Sequence, residues 1–392
     1  MWKHFVANIL TLMILGLVVL GGVVAGGQRS FVATGPLAEA ICLRVAPGAN
    51  LRIVTRQLEE LGAISNATIF RIGAQYTERD SRLRFGGYLI EPGASMDQIL
   101  ETLTRGGAST CGAEVNLRVG ITRSDYVVRD LDLATGRMTE VLSLPIDTAE
   151  LPEDYTRLAN APDTRLRITL AEGVTSWQVW DALNRAEFLS GDLPAPPAEG
   201  SLAPDSYDLR RGAERAALIA QMQERQQTIL ARAWENRAEG VPISSPQEAV
   251  ILASIIEKEA GGPRELALVA SVFYNRIARS MRFQMDATII YGITRGEGVL
   301  GRGITRSDIN GVTERQRHGA ILYNTYQIDG LPPTPIANPG RAAIEATLNP
   351  EASDYLFFVA DGTGGHAFAS TLAEHNRNVT RWREIEARQR DQ

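Results

Sequence analysis

The feature that most restricts this chain is the run from Phe5 to Ala25, which carries no charge and consists mostly of Leu, Val, Ile and Ala. Wound as a helix at about 1.5 Å per residue, it spans roughly 30 Å, the thickness of a bilayer's hydrocarbon core. Lys3 and His4 precede it and Gln28-Arg29 follow, so the charge bias across it is weak, although Lys3 and the free amine favour a cytoplasmic N-terminus. Residues 1–29 are therefore read as a cytoplasmic tip and one transmembrane anchor, with the helix at about 5–25. The competing reading is a cleaved signal peptide. Against it, the apolar run is long and Ala25-Gly26-Gly27 is a mediocre cleavage site. No second apolar run of that length follows, so everything after Arg29 is expected on one side, outside the cytoplasm. In such an oxidising compartment a Cys42–Cys111 disulfide is permitted, but sequence spacing alone does not bring two Cα atoms together.

The remainder of the 392 residues, with 44% hydrophobic content overall, is too long for one core and predicts two or three domains. Net charge is −6 and the arginines are scattered among acids, which argues against a nucleic-acid partner. Two cysteines without a CxxC, and four histidines in all, do not build a zinc cage. Residues 40–106 read as a small α/β module. A strand Ile41–Val45 meets a turn at Pro47-Gly48, then a helix 51–61 turns Leu51, Val54, Leu58 and Leu61 to one face. A second helix, 65–76, carries Ile69, Phe70 and Ile72 inward, and a strand Tyr88–Ile90 is followed by Pro92-Gly93 and a helix 95–104 closed by Gly106. The order strand, Pro-Gly turn, helix thus occurs twice, and a related version recurs at Leu166–Thr175 before a helix 177–185. Residues 107–165 alternate in the manner of strands (Val115–Val119, Met138–Leu144) and read as a β-rich insertion. The Pro-, Ala- and Gly-rich 191–204 is a boundary loop, and Leu218–Glu239 an amphipathic packing helix.

The third part, 166–392, is mainly helical. Ser245-Pro246-Gln247-Glu248 starts a helix over 246–260, with Ser as N-cap, Pro at the first position and Glu poised to close a capping box. That helix is apolar nearly all round and should be buried. It ends on Glu257-Lys258-Glu259, whose two carboxylates point to different sides. A carboxyl facing a cleft walled by such a helix would gain proton affinity by desolvation. Physics alone favours the plainer reading, a solvated last turn, but negative charge near a helix C-terminus runs against the dipole and hints at function. Gln284, Asp286, Tyr323, Asn324, Thr325, Tyr326 and Asn338 form a later polar set suited to sugars, with aromatic rings for apolar sugar faces and amides for hydroxyl and N-acetyl groups. Their structural alternative is buried hydrogen bonding to loops. His366 and the Glu374-His375 pair have no HExxH spacing, so no metal and no cofactor are expected.

The segment Leu252–Glu259 resembles the active-site helix of the endolytic murein transglycosylases, the YceG-like family. So do the runs Tyr323-Asn324-Thr325-Tyr326, Gly330–Gly340, Tyr355–Ala360, Gly364–Phe368 and Glu374-His375-Asn376. The agreement extends over roughly Ala171 to Val379, and the anchor and small modules fit. The resemblance implies an α+β chain: a transmembrane helix, LysM-like peptidoglycan-binding module(s) at about 40–106, the β-rich element, and a lysozyme/transglycosylase-like catalytic domain. It also implies a bacterial inner-membrane location with the catalytic part periplasmic, peptidoglycan strands as substrate, and glycan-polymerising synthases as neighbours. Glu257, the first Glu of the triplet, is the implied catalytic residue. Two departures stand out. Met285 and Ala287 flank Asp286 where the family has Gln-Ser/Thr-Asp-Pro, and Ile321-Leu322 replace Ser-Pro before Tyr323.

The implied reaction uses one carboxyl twice, first as acid to the glycosidic oxygen and then as base to the muramic C6 hydroxyl, giving a 1,6-anhydro end without water. A hydrolytic muramidase with Asp286 as base, and a non-catalytic wall-binding scaffold, are the rival expectations.

Overall fold

The computed structural model describes residues 2–105, 110–161, 163–311 and 320–390; Gly106, expected to close a helix, lies outside them. The chain is mixed α+β and divides into two compact units. The first comprises residues 1–115, 127–143 and 149–166, and the second 116–126, 144–148 and 167–392.

The first unit opens with α1 (Trp2–Val32), longer than the expected 5–25. The helix does not stop at Gln28-Arg29 because Phe31, 7% exposed, is core. Its ring lies where a Cβ on Gly73 would come within 2.3 Å, so glycine at 73 lets α1 and the helix that carries it approach closely. From Ile9 to Val24 the large apolar side chains of α1 are exposed. Among the described residues it is the one helix long and apolar enough to cross a membrane.

Next come β1 (Ile41–Val45), α2 (Leu51–Glu60), α3 (Ala67–Tyr76), β2 (Gly86–Ile90) and α4 (Met96–Thr104). β1 and β2 pair antiparallel from Ile41 opposite Ile90 to Val45 opposite Gly86. Local signals set the helix starts. The Asn50 side chain accepts from Ile53 N, the Asn66 side chain accepts from Thr68 N and Ile69 N, and Ser95 and Gln98 close a capping box. Val54, Leu58, Phe70, Leu100 and Leu103 form the core beneath them. Two expected inward residues are not inward: Ile72 is 59% and Leu61 48% exposed. Ala74, one helical turn beyond Phe70, is buried instead. A disulfide joins Cys42 on β1 to Cys111.

The expected β-rich stretch supplies β3 (Glu114–Val119), β4 (Ser124–Asp132) and β5 (Arg137–Pro145), followed by α5 (Glu153–Ala159) and β6 (Arg165–Leu170). The hydrogen-bonded order is β5-β4-β3-β6-β8, so these strands belong to one sheet with β6 and β8.

The second unit continues with α6 (Ser176–Arg185), β7 (Leu189–Ser190), β8 (Ser206–Leu209), β9 (Ala213–Glu214), α7 (Arg215–Glu235), α8 (Pro246–Glu259), α9 (Leu266–Ala278), α10 (Asp286–Thr294), α11 (Arg306–Ile309), a 3₁₀ turn at Ala320–Tyr323, α12 (Arg341–Leu348), β10 (Phe357–Ala360), β11 (His366–Ala369) and α13 (Leu372–Arg390). The core centres on α8, against which α7, α9, α10 and α12 pack. Leu252, Ala253, Ile255 and Ile256 of α8 are fully buried, with Phe273, Phe283 and Ile344 around them. The all-round apolar character of α8 therefore has its cause: it is the central helix of this unit.

Candidate active site

α8 begins as its sequence dictates, with Pro246 in the first turn and Ser245 Oγ accepting from Glu248 N at 3.2 Å. The Glu248 carboxylate goes one residue further back than a capping box requires, to Ser244 N (2.9 Å) and Ser244 Oγ (2.7 Å). In the middle of the helix Ser254 Oγ accepts from Ile336 N at 3.0 Å, which ties the 331–339 loop to α8. At the far end Ala260 turns extended, and the two carboxylates of the last turn reach different surroundings.

Glu257 Oε2 accepts from the backbone N of Gly340, the N-cap of α12, at 2.9 Å. Two further neighbours come from the turn after β6. A Cβ on Gly340 would lie 1.8 Å from Glu172 Oε1, so the Glu172 side chain covers this spot, and a Cβ on Gly173 would lie 3.5 Å from Glu257 Cγ and 3.4 Å from Lys258 Cδ. Gly173 has φ +79, a conformation that any side chain would strain. Lys258 Nζ donates to Gly173 O at 3.3 Å. Burial pushes the Glu257 carboxyl up; the Glu172 charge adds to this, while the Gly340 N–H and Lys258 oppose it. Burial likewise pushes the Lys258 ammonium down, against the pull of Glu257, Glu259 and Glu199.

Asn338 holds the two segments behind Glu257 together. Its backbone exchanges hydrogen bonds with the turn, Gly173 N to Asn338 O at 3.0 Å and Asn338 N to Val174 O at 2.8 Å. Its amide donates to Val174 O and Ser176 Oγ and accepts from Leu202 N. Below it sits Glu199, which accepts from Ser176 N at 2.8 Å and from the Tyr291 hydroxyl. Burial pushes Glu199 up to about 7 in spite of these donors.

Glu259 lies in a second cluster. Burial and the neighbouring Asp286 push it up to about 7, opposed by the Ala287 N–H, Lys258 and Arg276. Asp286, exposed at the start of α10, accepts from the Tyr326 hydroxyl at 2.8 Å. Thr325 is buried with its Oγ1 taking Met285 N at 2.9 Å, and Asn324 is buried with its amide donating to Ile309 O and accepting from Tyr326 N. Tyr323 is buried, its hydroxyl 2.7 Å from Thr334 Oγ1 and its ring 5.1 Å from that of Tyr291.

The expected residues thus separate. Asn338 backs Glu257, whereas Asp286 and Tyr326 gather at Glu259; Gln284 is exposed at φ +55 beside them. Tyr323, Asn324, Thr325 and Asn338 are committed to internal hydrogen bonds. Glu172, Gly173, Lys258, Glu199 and Gly340 were not singled out from sequence. Lys258 carried a signal as the middle of the Glu257-Lys258-Glu259 triplet, and Gly173 and Gly340 as the turn of the third strand–turn–helix repeat and the end of the Asn338-Pro339-Gly340 run. His366 Nδ1 lies 2.8 Å from Glu265 Oε2 and its backbone N donates to Glu265 Oε1, while the His375 ring stacks on Phe357.

Comparison with known proteins returns one family. The chain is 26% identical to the endolytic murein transglycosylase of Streptococcus pneumoniae serotype 2 over 86% of its own length, and spans 58% of the length of that relative. It is 26% identical to the endolytic murein transglycosylase of Bacillus subtilis, over 86% of this chain and 82% of that one. A solved yceG-like protein from Listeria monocytogenes is 24% identical over 86% of this chain and 98% of that chain, at a TM-score of 0.44. The YceG-like family model matches residues 43–144 and 145–381, and the chain belongs to the YceG-like family.

Proposed function

We propose that the chain is a membrane-anchored, endolytic lytic transglycosylase of peptidoglycan. It would cut the β-1,4 bond between N-acetylmuramic acid and N-acetylglucosamine in nascent strands and leave a 1,6-anhydromuramic acid end. The reaction class follows the names of its streptococcal and Bacillus relatives. The observation that carries the assignment to Glu257 is its setting: a half-buried carboxyl ending an apolar helix, raised by burial and held by one N–H. Among the described residues no second carboxylate is hydrogen-bonded to it, which suits a reaction that needs only one.

Neutral Glu257 gives its proton to the glycosidic oxygen as the bond from that oxygen to the muramic anomeric carbon breaks. The carboxylate left behind takes the proton of the C6 hydroxyl, whose oxygen closes on the same anomeric carbon. No water is consumed, and the attacking group is already tethered. A group that must serve as acid and then as base works best with a proton affinity above that of an ordinary carboxyl, which burial supplies. The substrate acetamido group helps to stabilise the oxocarbenium-like state. Sugar contacts are assigned to Gln284, Asp286 and Tyr326, with Tyr323, Asn324, Thr325 and Asn338 fixing the loops that carry them.

The α1 helix is read as a retained single-pass anchor in the bacterial inner membrane, with the catalytic part periplasmic. The β1-α2-α3-β2 order with antiparallel β1 and β2 supports a LysM-like module at 40–106, and the helical second unit is read as lysozyme/transglycosylase-like. A tethered cutter of new strands would terminate them beside the glycan-polymerising synthases. Mass spectrometry of digested glycan strands tests the chemistry. The wild type should give anhydro ends, and Glu257→Gln should lower kcat by roughly 10²–10⁴-fold. Reducing-end muramic acid would sink the reading in favour of hydrolysis with Asp286 as base. Fragments released by Glu257→Gln at the wild-type rate would remove Glu257 from its role.

A further inference from the structure

Beside Lys258 the second unit holds a pocket of about 240 Å³, walled by Ile121, Gln178, Ile290, Leu300 and Ile336. Its polar lining is already satisfied. Gln178 donates to Ile121 O at 2.6 Å and accepts from Thr175 N; Thr175 Oγ1 donates to Gly296 O; Thr294 Oγ1 accepts from Gly296 N; and the Tyr291 hydroxyl is engaged by Glu199. Lys258 differs. Its three N–H groups have one acceptor, Gly173 O at 3.3 Å, and it forms no ion pair among the described residues. The pocket therefore offers aliphatic walls and one cation with donors to spare, one residue along the helix from Glu257.

On the reading of the site given above, the muramic residue next to the cut bond carries two substituents, a 2-acetamido group and a 3-O-lactyl group that begins the stem peptide. The pocket has room for roughly eight water-sized units. An acetamido group, at about four heavy atoms, fills roughly half of that space, whereas a lactyl-alanyl segment, at about nine, fills it and supplies two methyl groups with two carbonyl acceptors. We propose that this pocket receives the lactyl-alanyl base of the stem peptide, with Lys258 donating to a stem carbonyl, so that the enzyme selects glycan strands that still bear peptides. Lys258 is then a specificity-determining residue, and the aliphatic walls read the two methyl groups.

The test compares kcat/KM on two substrates, strands with intact stem peptides and strands stripped of peptide at the lactyl amide, for wild type, Leu300→Trp and Lys258→Met. The expected result is a wild-type preference for stem-bearing strands that falls roughly tenfold in each variant, chiefly through KM on the stem-bearing substrate. Thermal unfolding identifies a variant that has lost its fold, and the other variant then decides. Equal losses on both substrates would mean that the pocket takes the acetamido group or acts only structurally, and would overturn the proposal, as would no change on either. A wild type that cuts neither substrate would instead bring down the proposed function, an outcome distinct from cutting both without preference.

Discussion

At Glu257 two charged neighbours act in opposite senses, so each can be removed to a signed effect. The negative charge of Glu172 raises its proton affinity, and the Gly340 N–H and Lys258 lower it. In the proposed reaction the protonated form is the acid, and activity is lost as pH rises through its titration. Glu172→Gln removes a charge that favours the proton, so the basic limb of kcat/KM should move to lower pH; a limb that stays or moves up would show that Glu172 does not act on Glu257. Glu199 gives a stability test. Its carboxyl is ordinary (4.5) when unfolded and about 7 when folded, so its contribution is fully present below about pH 4.5 and lost as pH rises through about 7. Glu199→Gln cannot titrate. In denaturant unfolding from pH 4.5 to 8, the wild type should lose on the order of 3 kcal/mol more than this variant. Parallel pH profiles would refute the burial argument.

Among the elements, the legible parts were those whose signals are local. The N-cap of α4 is a serine three residues from a glutamine, that of α6 a threonine at the same spacing, and α8 opens on Ser-Pro; all three helices begin within a residue of where the sequence reading placed them. β4 and β11 were missed because a strand is defined by its partner, and the place of β3 beside β6 is a matter of pairing between distant segments. The site was half legible for the same reason. A carboxylate ending an apolar helix is visible in sequence, but the groups that tune it come from the turn at 172–173 and from Gly340, a sequence separation of 83 from Glu257. Glu199 was hidden in a loop whose composition indicated only a boundary. Gly340 makes this testable. Its φ is ordinary, so alanine is not strained there, but a Cβ would meet the Glu172 side chain at 1.8 Å, and that exposed side chain can swing away. Gly340→Ala should therefore shift the basic limb in the same direction as Glu172→Gln while changing stability by less than about 1 kcal/mol. A larger loss would mean that the backbone, and with it the Glu257 hydrogen bond, had moved.

For the molecule as a whole, the question is where the apolar N-terminal helix, proposed above as a membrane anchor, begins to belong to the protein's own core. α1 is continuous from Trp2 to Val32, yet its surface changes character within a few residues. Side chains from Ile9 to Val24 are largely exposed, Gln28 and Arg29 are exposed and polar, and Phe31 is in the core with Phe70 and Leu58. Two truncations five residues apart, one starting at Gln28 and one at Ala33, should accordingly differ in kind. A chain beginning at Gln28 keeps Phe31 and should leave lipid vesicles in flotation while unfolding at the denaturant concentration of a detergent-solubilised full chain. A chain beginning at Ala33 should also leave the vesicles but lose about 3–5 kcal/mol of stability in the first unit, the cost of deleting a buried phenylalanine. A Gln28 start that still floats would put the membrane contact elsewhere. An Ala33 start with undiminished stability would mean that α1 ends, for folding purposes, before Phe31.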